Sequence, residues 1–331
     1  MNVSRKFPQS RLRRTRFTSS IRSLVAENSL SVNDLIQPIF VKEDLDGLEK
    51  IDSLPGISRY GLNALDEEIE KIQNNKIKAV AIFPVINPDK KDETGSDSLN
   101  EDNLVCTAIK QIKKNSELAV IADVALDPYT SHGHDGVLDE NGYVENDKSL
   151  SLLVEQALTL AKAGADMVAP SDMMDGRISG IRNSLESNNF ANTIILSYAA
   201  KYSSKFYGPF RDAVGSSANL GVGSKDTYQM SVANIDEALH EVKMDIEEGA
   251  DIVMVKPGMP YLDVIKAVKD TFKVPTFAYQ VSGEYAMLKA AIENDWLSDE
   301  VMLESLLSFK RAGADCVLTY AANEIAIKLN Q

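Results

Sequence analysis

Short apolar runs alternate with amphipathic segments along most of the chain. The apolar runs, which predict buried strands, lie at 35–41, 77–85, 118–126, 165–171, 192–199, 250–256, 274–281 and 314–320. The amphipathic segments predict helices near 63–74, 99–114, 148–163, 175–188, 235–248, 261–272, 284–294, 299–311 and 321–330. Eight such alternations predict an α/β fold, the (β/α)8 TIM barrel. A doubly wound open sheet is the alternative, but the glycine-rich loop that usually follows its first strand does not follow 35–41.

The tripeptide Gly-Ala-Asp recurs where a predicted helix meets a predicted strand. It occurs in AGADMVAPSD (163–172), EGADIVMVKP (248–257) and AGADCVLTYAA (312–322). Glycine is the expected residue just after a helix, because it adopts a positive φ at little cost. Each copy therefore predicts the same unit of helix, tight turn and buried strand, which supports a repeated β/α architecture.

The composition narrows the class of protein. The chain has 331 residues, 44% hydrophobic and 25% charged, as in a globular protein with a large core. Its net charge of −14 argues against nucleic acid as a partner, and no apolar run reaches the ~18–20 residues of a membrane helix. Two cysteines, Cys106 and Cys316, are too few for a disulfide framework or a cysteine-rich zinc site. We expect a cytoplasmic protein that binds neither nucleic acid nor membrane.

The start of the chain differs from the rest in charge. Residues 1–22 carry seven basic residues and no acidic one, so the remainder sums to −21. An Arg- and Ser-rich start can be an organelle transit peptide, but this one has no amphipathic period and Pro8 interrupts it. We therefore predict an N-terminal arm over 1–33 that packs on an acidic neighbouring subunit, followed by a barrel domain over 34–331.

Two connections are unusually long, and both follow the carboxyl ends of predicted strands. Residues 127–147 follow the third strand, and residues 200–233 follow the fifth. Barrel enzymes place their chemistry at this end, where long loops are usually lids or binding loops. The second connection therefore predicts an active-site lid around 202–230.

Two lysines, Lys201 and Lys256, lie at the carboxyl ends of adjacent predicted strands. A lone lysine at a strand end is most often a surface residue whose ammonium reaches solvent. Two that face one cavity each lower the pKa of the other, and burial lowers both further. A neutral amine is the nucleophile that forms a Schiff base with a ketone or aldehyde. The pair therefore predicts covalent binding of carbonyl substrates.

Further polar residues are predicted at the same mouth. Arg211 and Lys225, in the long loop, can clamp a carboxylate, although a solvated loop is the simpler interpretation. Ser282 and Tyr320 can hold a second carboxylate through their hydroxyl groups. Phe210 and Tyr279 are also predicted to bind the substrate.

Acidic residues and histidines crowd the segment 123–136. Asp123, Asp127 and Asp135 accompany His132 and His134. Such side chains can bind a metal through oxygen and nitrogen, but the thiolates of a tight zinc site are absent. Asp123 can equally bind a substrate ammonium, and we favour this interpretation over a tightly held catalytic metal.

Long motifs in these regions resemble a known family. They are RLRRTRFTSSIRSLVAE, PGISRYG, DVALDPYTSHGHDG, APSDMMDGRI, SYAAKYSSKFYGPFRDA, DIVMVKPGMPYLD and FAYQVSGEYAM. From about Arg11 to the C-terminus the sequence resembles the porphobilinogen synthase family, also called 5-aminolevulinate dehydratases. The resemblance implies condensation of two 5-aminolevulinate molecules to porphobilinogen, with loss of two waters, by a homo-octamer of arm-hugging dimers.

The resemblance also implies residue roles. Lys256 and Lys201 match the two Schiff-base lysines, on the propionate and acetate sides of the product respectively. Arg211 and Lys225 match the lid residues that bind the acetate-side carboxylate, and Ser282 and Tyr320 match the binders of the other one. Asp123 and Ser171 match polar groups around the acetate-side substrate.

The aspartate-rich loop departs from one branch of the family. Zinc-type members carry three cysteines in the loop where we align Asp123, Asp127 and Asp135, so the resemblance argues against catalytic zinc. The aspartate-rich subgroup is stimulated instead by an allosteric Mg²⁺, bound by a glutamate that Glu241 matches. Mg²⁺ prefers hard oxygen ligands and keeps several waters, which fits a single carboxylate. From the residue pattern alone, Glu241 is an ordinary solvated helix residue.

Two alternatives remain at this point. Another Schiff-base barrel enzyme, such as a class I aldolase, typically needs only one reactive lysine. A catalytically inactive barrel with an assembly or regulatory role is the alternative from a different class, and the intact lysine pair argues against it.

Overall fold

The structure, a computed structural model, describes residues 6–215 and 224–331. These residues form ten strands and eleven α-helices. The strands are β1 (Leu35–Lys42), β2 (Leu48–Lys50), β3 (Ser58–Tyr60), β4 (Ala79–Val85), β5 (Ala119–Val124), β6 (Met167–Pro170), β7 (Ile194–Lys201), β8 (Ile252–Lys256), β9 (Thr276–Gln280) and β10 (Cys316–Thr319). The helices are α1 (Ser19–Leu24), α2 (Leu62–Asn74), α3 (Leu104–Asn115), α4 (Asn146–Ala163), α5 (Arg177–Ser187), α6 (Gly208–Ala213), α7 (Asp236–Glu248), α8 (Leu262–Phe272), α9 (Ser282–Glu293), α10 (Glu300–Ala312) and α11 (Ala322–Leu329).

Eight of the strands close into a parallel barrel. β1 is followed around the barrel by β4, β5, β6, β7, β8, β9 and β10, and every neighbouring pair is parallel. β10 returns to β1 through Leu35 opposite Val317 and Ile36 opposite Leu318. The (β/α)8 prediction is therefore confirmed. One boundary was wrong: α3 begins at Leu104 rather than near 99, because the Asn103 side chain caps it by accepting the Cys106 N–H at 2.8 Å.

The short β2–β3 hairpin was not predicted. β3 runs parallel to the carboxyl half of β1, with Arg59 opposite Phe40, and β2 pairs antiparallel with β3. Arg59 donates to the carbonyl oxygens of Ala213 at 2.6 Å and Asp212 at 2.7 Å. The hairpin therefore holds α6 over the mouth of the barrel.

The three Gly-Ala-Asp copies form three equivalent junctions at the amino end of the barrel. Gly164, Gly249 and Gly313 end α4, α7 and α10 with φ of 107°, 111° and 113°. Asp166, Asp251 and Asp315 then accept the backbone N–H groups of Val120, Ile195 and Thr276 at 2.8, 2.8 and 2.7 Å. Each carboxylate also pairs with a cation of a preceding helix: Lys113, Arg182 and Lys269 at 2.8, 2.5 and 2.7 Å. The repeat read from the sequence is thus a repeated structural clamp.

Four large apolar side chains in the described part of the N-terminal segment, residues 6–33, are exposed to solvent, whereas Leu30 and Val32 pack against the core. Phe7, Leu12, Phe17 and Leu24 are each at least 70% exposed. Single exposed apolar residues are ordinary, but these four lie close together along the chain. No helix in the described residues is long and apolar enough to cross a membrane.

Candidate active site

Lys201 and Lys256 are register partners at the carboxyl ends of β7 and β8. Both are buried, at 5% and 7% exposure, and both line the same two small cavities at the barrel mouth. The ladder between the strands shifts register between Ser197 and Ala200, so β7 does not follow a regular alternation. The structure therefore brings together the two lysines that the sequence placed on adjacent strands.

Lys256 lies in a cage of aromatic rings. Its Nζ lies 4.8 Å from the ring centroid of Tyr279, 5.0 Å from Tyr198, 5.3 Å from Phe210 and 5.4 Å from Tyr207. Within residues 6–215 and 224–331 no acceptor lies within hydrogen-bond distance of this amine. Burial, helped by the charge of Lys201, lowers the pKa of Lys256 to about 7. A large share of this amine is therefore neutral and nucleophilic near neutral pH.

Lys201 has polar partners instead. Its Nζ donates to the carbonyl oxygen of Ser171 and lies 3.3 Å from Asp135. The carboxylate of Asp135 also accepts from Lys225 at 2.5 Å and from the Tyr228 hydroxyl at 2.9 Å. Burial alone would raise the pKa of Asp135, but the two lysines hold it well below its usual range. Asp135 is therefore an anion that orients Lys201.

Asp123 projects from the end of β5 into the smaller cavity beside Ser171. Its Oδ1 is buried and has no hydrogen-bond partner among the described residues. Burial raises the pKa of Asp123 to about 6, although Lys256 and Lys201 oppose the rise. This carboxyl group can accept a hydrogen bond from an ammonium and exchange a proton near neutral pH.

The two cations predicted as a carboxylate clamp differ in their surroundings. Arg211, on α6, lines the larger cavity and forms no ion pair with any described residue. Lys225 is neutralised by Asp127 at 3.0 Å and Asp135 at 2.5 Å, and these carboxylates raise its pKa against the effect of burial. Arg211 is thus free to bind an anion, whereas Lys225 must first exchange its acidic partners.

Ser282 and Tyr320, which were predicted to bind a second carboxylate, do not line either cavity. The Ser282 hydroxyl accepts the Phe210 N–H at 2.9 Å, and the hydroxyls of Tyr320 and Tyr279 are 2.8 Å apart. The cavities themselves measure about 40 and 20 Å³, room for one or two waters. The Phe210 ring and α6 must therefore move before a substrate can reach Lys256 and Ser282 together. That 202–230 acts as a lid stays a prediction, and residues 216–223 of it lie outside the described residues.

The metal interpretation of the 123–136 segment finds no geometry to support it. Of the residues that the structure describes, no three His, Cys, Asp or Glu side chains converge on a point where they could hold a metal. Asp127 and Asp135 bind lysine ammonium groups instead. His134 Nδ1 lies 3.2 Å from the Tyr228 hydroxyl, and His132 Nε2 lies 3.1 Å from the carbonyl oxygen of Glu93.

Glu241 is half-buried on α7, not freely solvated. It lines a cleft of about 240 Å³ with Glu237, Asp175 and Asp226. Burial raises the pKa of Glu241; Arg177 opposes the rise, and nearby carboxylates including Asp175 add to it. The cleft therefore holds an excess of negative charge.

Two further residues that the structure places at the site, Tyr228 and Gln229, were not predicted from the sequence. Tyr228 ties Asp135 to His134, and Gln229 lines both the larger lysine cavity and the Glu241 cleft. The Gln229 Oε1 atom is buried without a described partner. Both residues lie in a polar loop without periodicity, so only the closed fold shows their surroundings.

Comparisons with known proteins identify relatives of this chain. The sequence model of a family described as "Delta-aminolevulinic acid dehydratase" matches residues 9–328. A curated protein of that name from Bradyrhizobium diazoefficiens is 54% identical over 321 residues, which cover 96% of this chain and 90% of the relative. Another protein of that name, from Methanothermus sociabilis, is 53% identical over 320 residues, which cover 97% of this chain and 98% of the relative.

A solved structure is also closely similar. The crystal structure of delta-aminolevulinic acid dehydratase (porphobilinogen synthase) from Toxoplasma gondii ME49, in complex with the reaction product porphobilinogen, superposes with a TM-score of 0.95. It is 48% identical, and the match covers 97% of this chain and 91% of that one.

Proposed function

The chain belongs to the delta-aminolevulinic acid dehydratase family, and from that premise we propose how residues at the barrel mouth carry out its reaction. The protein is a hydro-lyase that condenses two molecules of 5-aminolevulinate to one of porphobilinogen, with loss of two waters. The aldolase alternative is thereby set aside. The observation that carries the proposed mechanism is the register pairing of Lys201 with Lys256, which is buried and has no counter-ion among the described residues.

Lys256 is the first nucleophile in this proposal. Its neutral amine attacks the ketone carbon of one substrate, and loss of water leaves an imine. The aromatic cage excludes water from the amine and lowers its pKa, so the reactive form is present near neutral pH.

Lys201 binds the second molecule in the same way, which accounts for the second water. Asp135 and the Ser171 carbonyl orient its amine toward the cavity that Lys256 shares. Imine formation makes the neighbouring carbon acidic enough for carbon–carbon bond formation. Holding both ketones in one cavity raises their effective concentration far above that in solution. Each lysine returns to the free amine when the new carbon–carbon and carbon–nitrogen bonds replace its bond to the substrate.

The substrate's other groups assign the remaining residues. Arg211, with Lys225 after it leaves Asp127 and Asp135, binds the carboxylate on the Lys201 side. Ser282 and Tyr320 bind the carboxylate on the Lys256 side once Phe210 moves. Asp123, whose Oδ1 lacks a described partner, binds the ammonium of the second substrate.

Borohydride reduction in the presence of 5-aminolevulinate tests the two-lysine mechanism. We expect mass mapping to find the reduced substrate adduct on both Lys256 and Lys201 and not on Lys269, a lysine at the amino end of the barrel. Labelling of neither lysine would refute the Schiff-base mechanism, and labelling of only one would favour a single-imine mechanism.

The Glu241 cleft is our candidate for an allosteric magnesium site. Its four carboxylates offer hard oxygen ligands and an excess of negative charge, which fits an ion that keeps several waters and takes one or two carboxylates. The bound ion would supply local positive charge next to Gln229 and α7. Calorimetry should show magnesium binding that Glu241→Gln abolishes; unchanged binding in that variant would remove Glu241 from the site.

The arm is our candidate for assembly into a homo-octamer. Phe17 and Leu24 are each 84% exposed, and residues 1–22 carry seven basic residues while the rest of the chain carries −21, so a second copy offers the complementary charge. Sedimentation velocity should give a smaller particle for the double variant Phe17→Asp, Leu24→Asp than for the unchanged chain. An identical sedimentation coefficient for both would contradict the role of the arm. The cytoplasmic location stays a prediction.

A further inference from the structure

Glu284 is a buried carboxylate that the proposed chemistry does not use. It lies fully buried in the first turn of α9, and both of its oxygens accept backbone N–H groups. Oε2 accepts from Val281 at 2.7 Å and from Gly258 at 3.3 Å, and Oε1 accepts from Met259. Burial raises the pKa of Glu284 to about 7, and the three N–H groups oppose that rise.

The three donors come from two separate parts of the active site. Gly258 and Met259 follow Lys256 and Pro257 at the end of β8. Val281 ends the turn after β9 and directly precedes Ser282, the first residue of α9. One carboxylate therefore joins the main chain that carries Lys256 to the main chain that carries Ser282.

An ordinary helix cap does not account for this arrangement. A capping-box glutamate satisfies only the N–H of the N-cap residue, which here is Val281. The contacts to Gly258 and Met259 go beyond that motif, to a loop 26 and 25 residues earlier in the chain. Among the described residues, backbone N–H groups are the only partners of this carboxylate, and burying a charge without a cation is costly. The contacts of Glu284 therefore go beyond those that capping α9 requires.

Close packing makes the junction stiff. A Cβ on Gly258 would lie 2.1 Å from the ring of Phe309, and a Cβ on Gly283 would lie 2.5 Å from the carbonyl oxygen of Phe206. The loop after β8 and the start of α9 therefore pack so closely against Phe309 and Phe206 that neither glycine leaves room for a side chain. A shift at Glu284 would pass directly to Lys256 on one side and to Ser282 on the other.

We propose that Glu284 is a positioning residue that holds the main chain of Lys256 and the main chain of Ser282 in fixed relative positions, so that the Lys256 amine meets the ketone carbon and the Ser282 hydroxyl meets the carboxylate of one substrate molecule. The inference rests on the proposed function, in which Lys256 forms an imine and Ser282 binds the carboxylate of the same molecule. Glu284 forms no hydrogen bond with Lys201, whose amine contacts the Ser171 carbonyl oxygen and Asp135 instead. Loss of Glu284 should therefore affect the two lysines unequally.

The test measures both lysines in one sample. The full-length protein is reduced with borohydride in the presence of 5-aminolevulinate, and the adducts on Lys256 and Lys201 are quantified by mass spectrometry. Glu284→Gln keeps the size of the side chain but places an amide N–H₂ against backbone N–H groups. Glu284→Asp keeps the charge and shortens the reach by one methylene. The matched control is Asp315→Asn, since Asp315 also accepts a backbone N–H of a neighbouring strand, but at the opposite end of the barrel.

We expect the ratio of Lys256 to Lys201 labelling to fall about tenfold in Glu284→Gln, because small displacements of a reacting group are costly. The fall should be smaller in Glu284→Asp and absent in Asp315→Asn. An unchanged ratio in folded Glu284→Gln would overturn the inference, even if the melting temperature falls, as would an equal fall in Asp315→Asn. If Glu284→Gln does not fold, an unchanged ratio in Glu284→Asp overturns it. Absence of labelling in the unchanged protein would refute the proposed function instead.

Discussion

The two ends of the barrel use charged side chains in opposite ways. At the amino end, Asp166, Asp251 and Asp315 occupy equivalent positions, and each accepts one backbone N–H and pairs with one cation. At the carboxyl end, Lys201 and Lys225 share Asp135, while Lys256 has no counter-ion among the described residues. The same carboxylate arrangement therefore occurs three times at the amino end, whereas the lysines and carboxylates described at the carboxyl end follow no repeat.

The difference in burial explains what each end can do. The three aspartate side chains at the amino end remain 38–48% exposed, so water screens their ion pairs and each contributes little beyond its backbone hydrogen bond. The lysines at the carboxyl end are almost fully buried, where an uncompensated charge costs several kcal/mol. The amino end therefore stabilises the fold in small, independent amounts. The carboxyl end is less stable than it could be, and it gains a reactive amine in return.

The largest effect should come from removing that amine. Lys256→Met should lower kcat by about 10⁴-fold or more, as expected when the nucleophile of a covalent mechanism is removed. The same change should leave the protein as stable or more stable, because a buried amine without a counter-ion is replaced by an apolar side chain of similar length. Steady-state kinetics measure the loss of kcat, and thermal unfolding measures the change in stability.

Lys269→Met provides the contrast at the amino end. Lys269 pairs with Asp315 and donates to the carbonyl oxygen of Val274 at 3.0 Å, far from the mouth. Activity should be retained, and stability should fall by about 1 kcal/mol or less. The comparison fails if Lys256→Met destabilises the protein more than Lys269→Met does.

A smaller effect should appear in the pH dependence of Schiff-base formation. Since the pKa of Lys256 is lowered to about 7, its neutral fraction reaches one half near pH 7 and keeps rising until it levels off at higher pH. The yield of borohydride-trapped adduct on Lys256 should follow that curve. Lys201→Met removes a nearby positive charge that helps to lower the pKa, so the midpoint should move to higher pH. A midpoint that stays in place, or moves down, would show that Lys201 does not act on Lys256 electrostatically.

The amino end was also the part that the sequence predicted best. Gly249, Asp251 and the apolar run to Val255 are local signals, because a glycine turn and a buried strand need no partner to be recognised. The pairing of Lys201 with Lys256 was predictable as well, since adjacent parallel strands end at the same edge.

The remaining features depend on contacts between residues that are far apart in the sequence. Asp135 was considered as a metal ligand, but in the structure it lies between two lysines. Gln229 and Glu284 gave no signal because what they contact comes from distant parts of the chain. The β2–β3 hairpin was missed because its short strands have little apolar character of their own and are held by the edge of β1.

The smallest effect should come from the repeated clamps, and it tests whether they are equivalent. Asp166→Asn, Asp251→Asn and Asp315→Asn each keep one oxygen that can accept the backbone N–H but remove the charge that pairs with Lys113, Arg182 or Lys269. Each change should cost about 1 kcal/mol or less in the free energy of unfolding, because the exposed ion pair contributes little. The three costs should also add in combination, because the three carboxylates bind different backbone N–H groups and different cations. Denaturant unfolding measures the costs, and turnover should remain at the unchanged level in all three. A loss of turnover in any one variant, without a matching loss of stability, would mean that the amino end also positions the lysines.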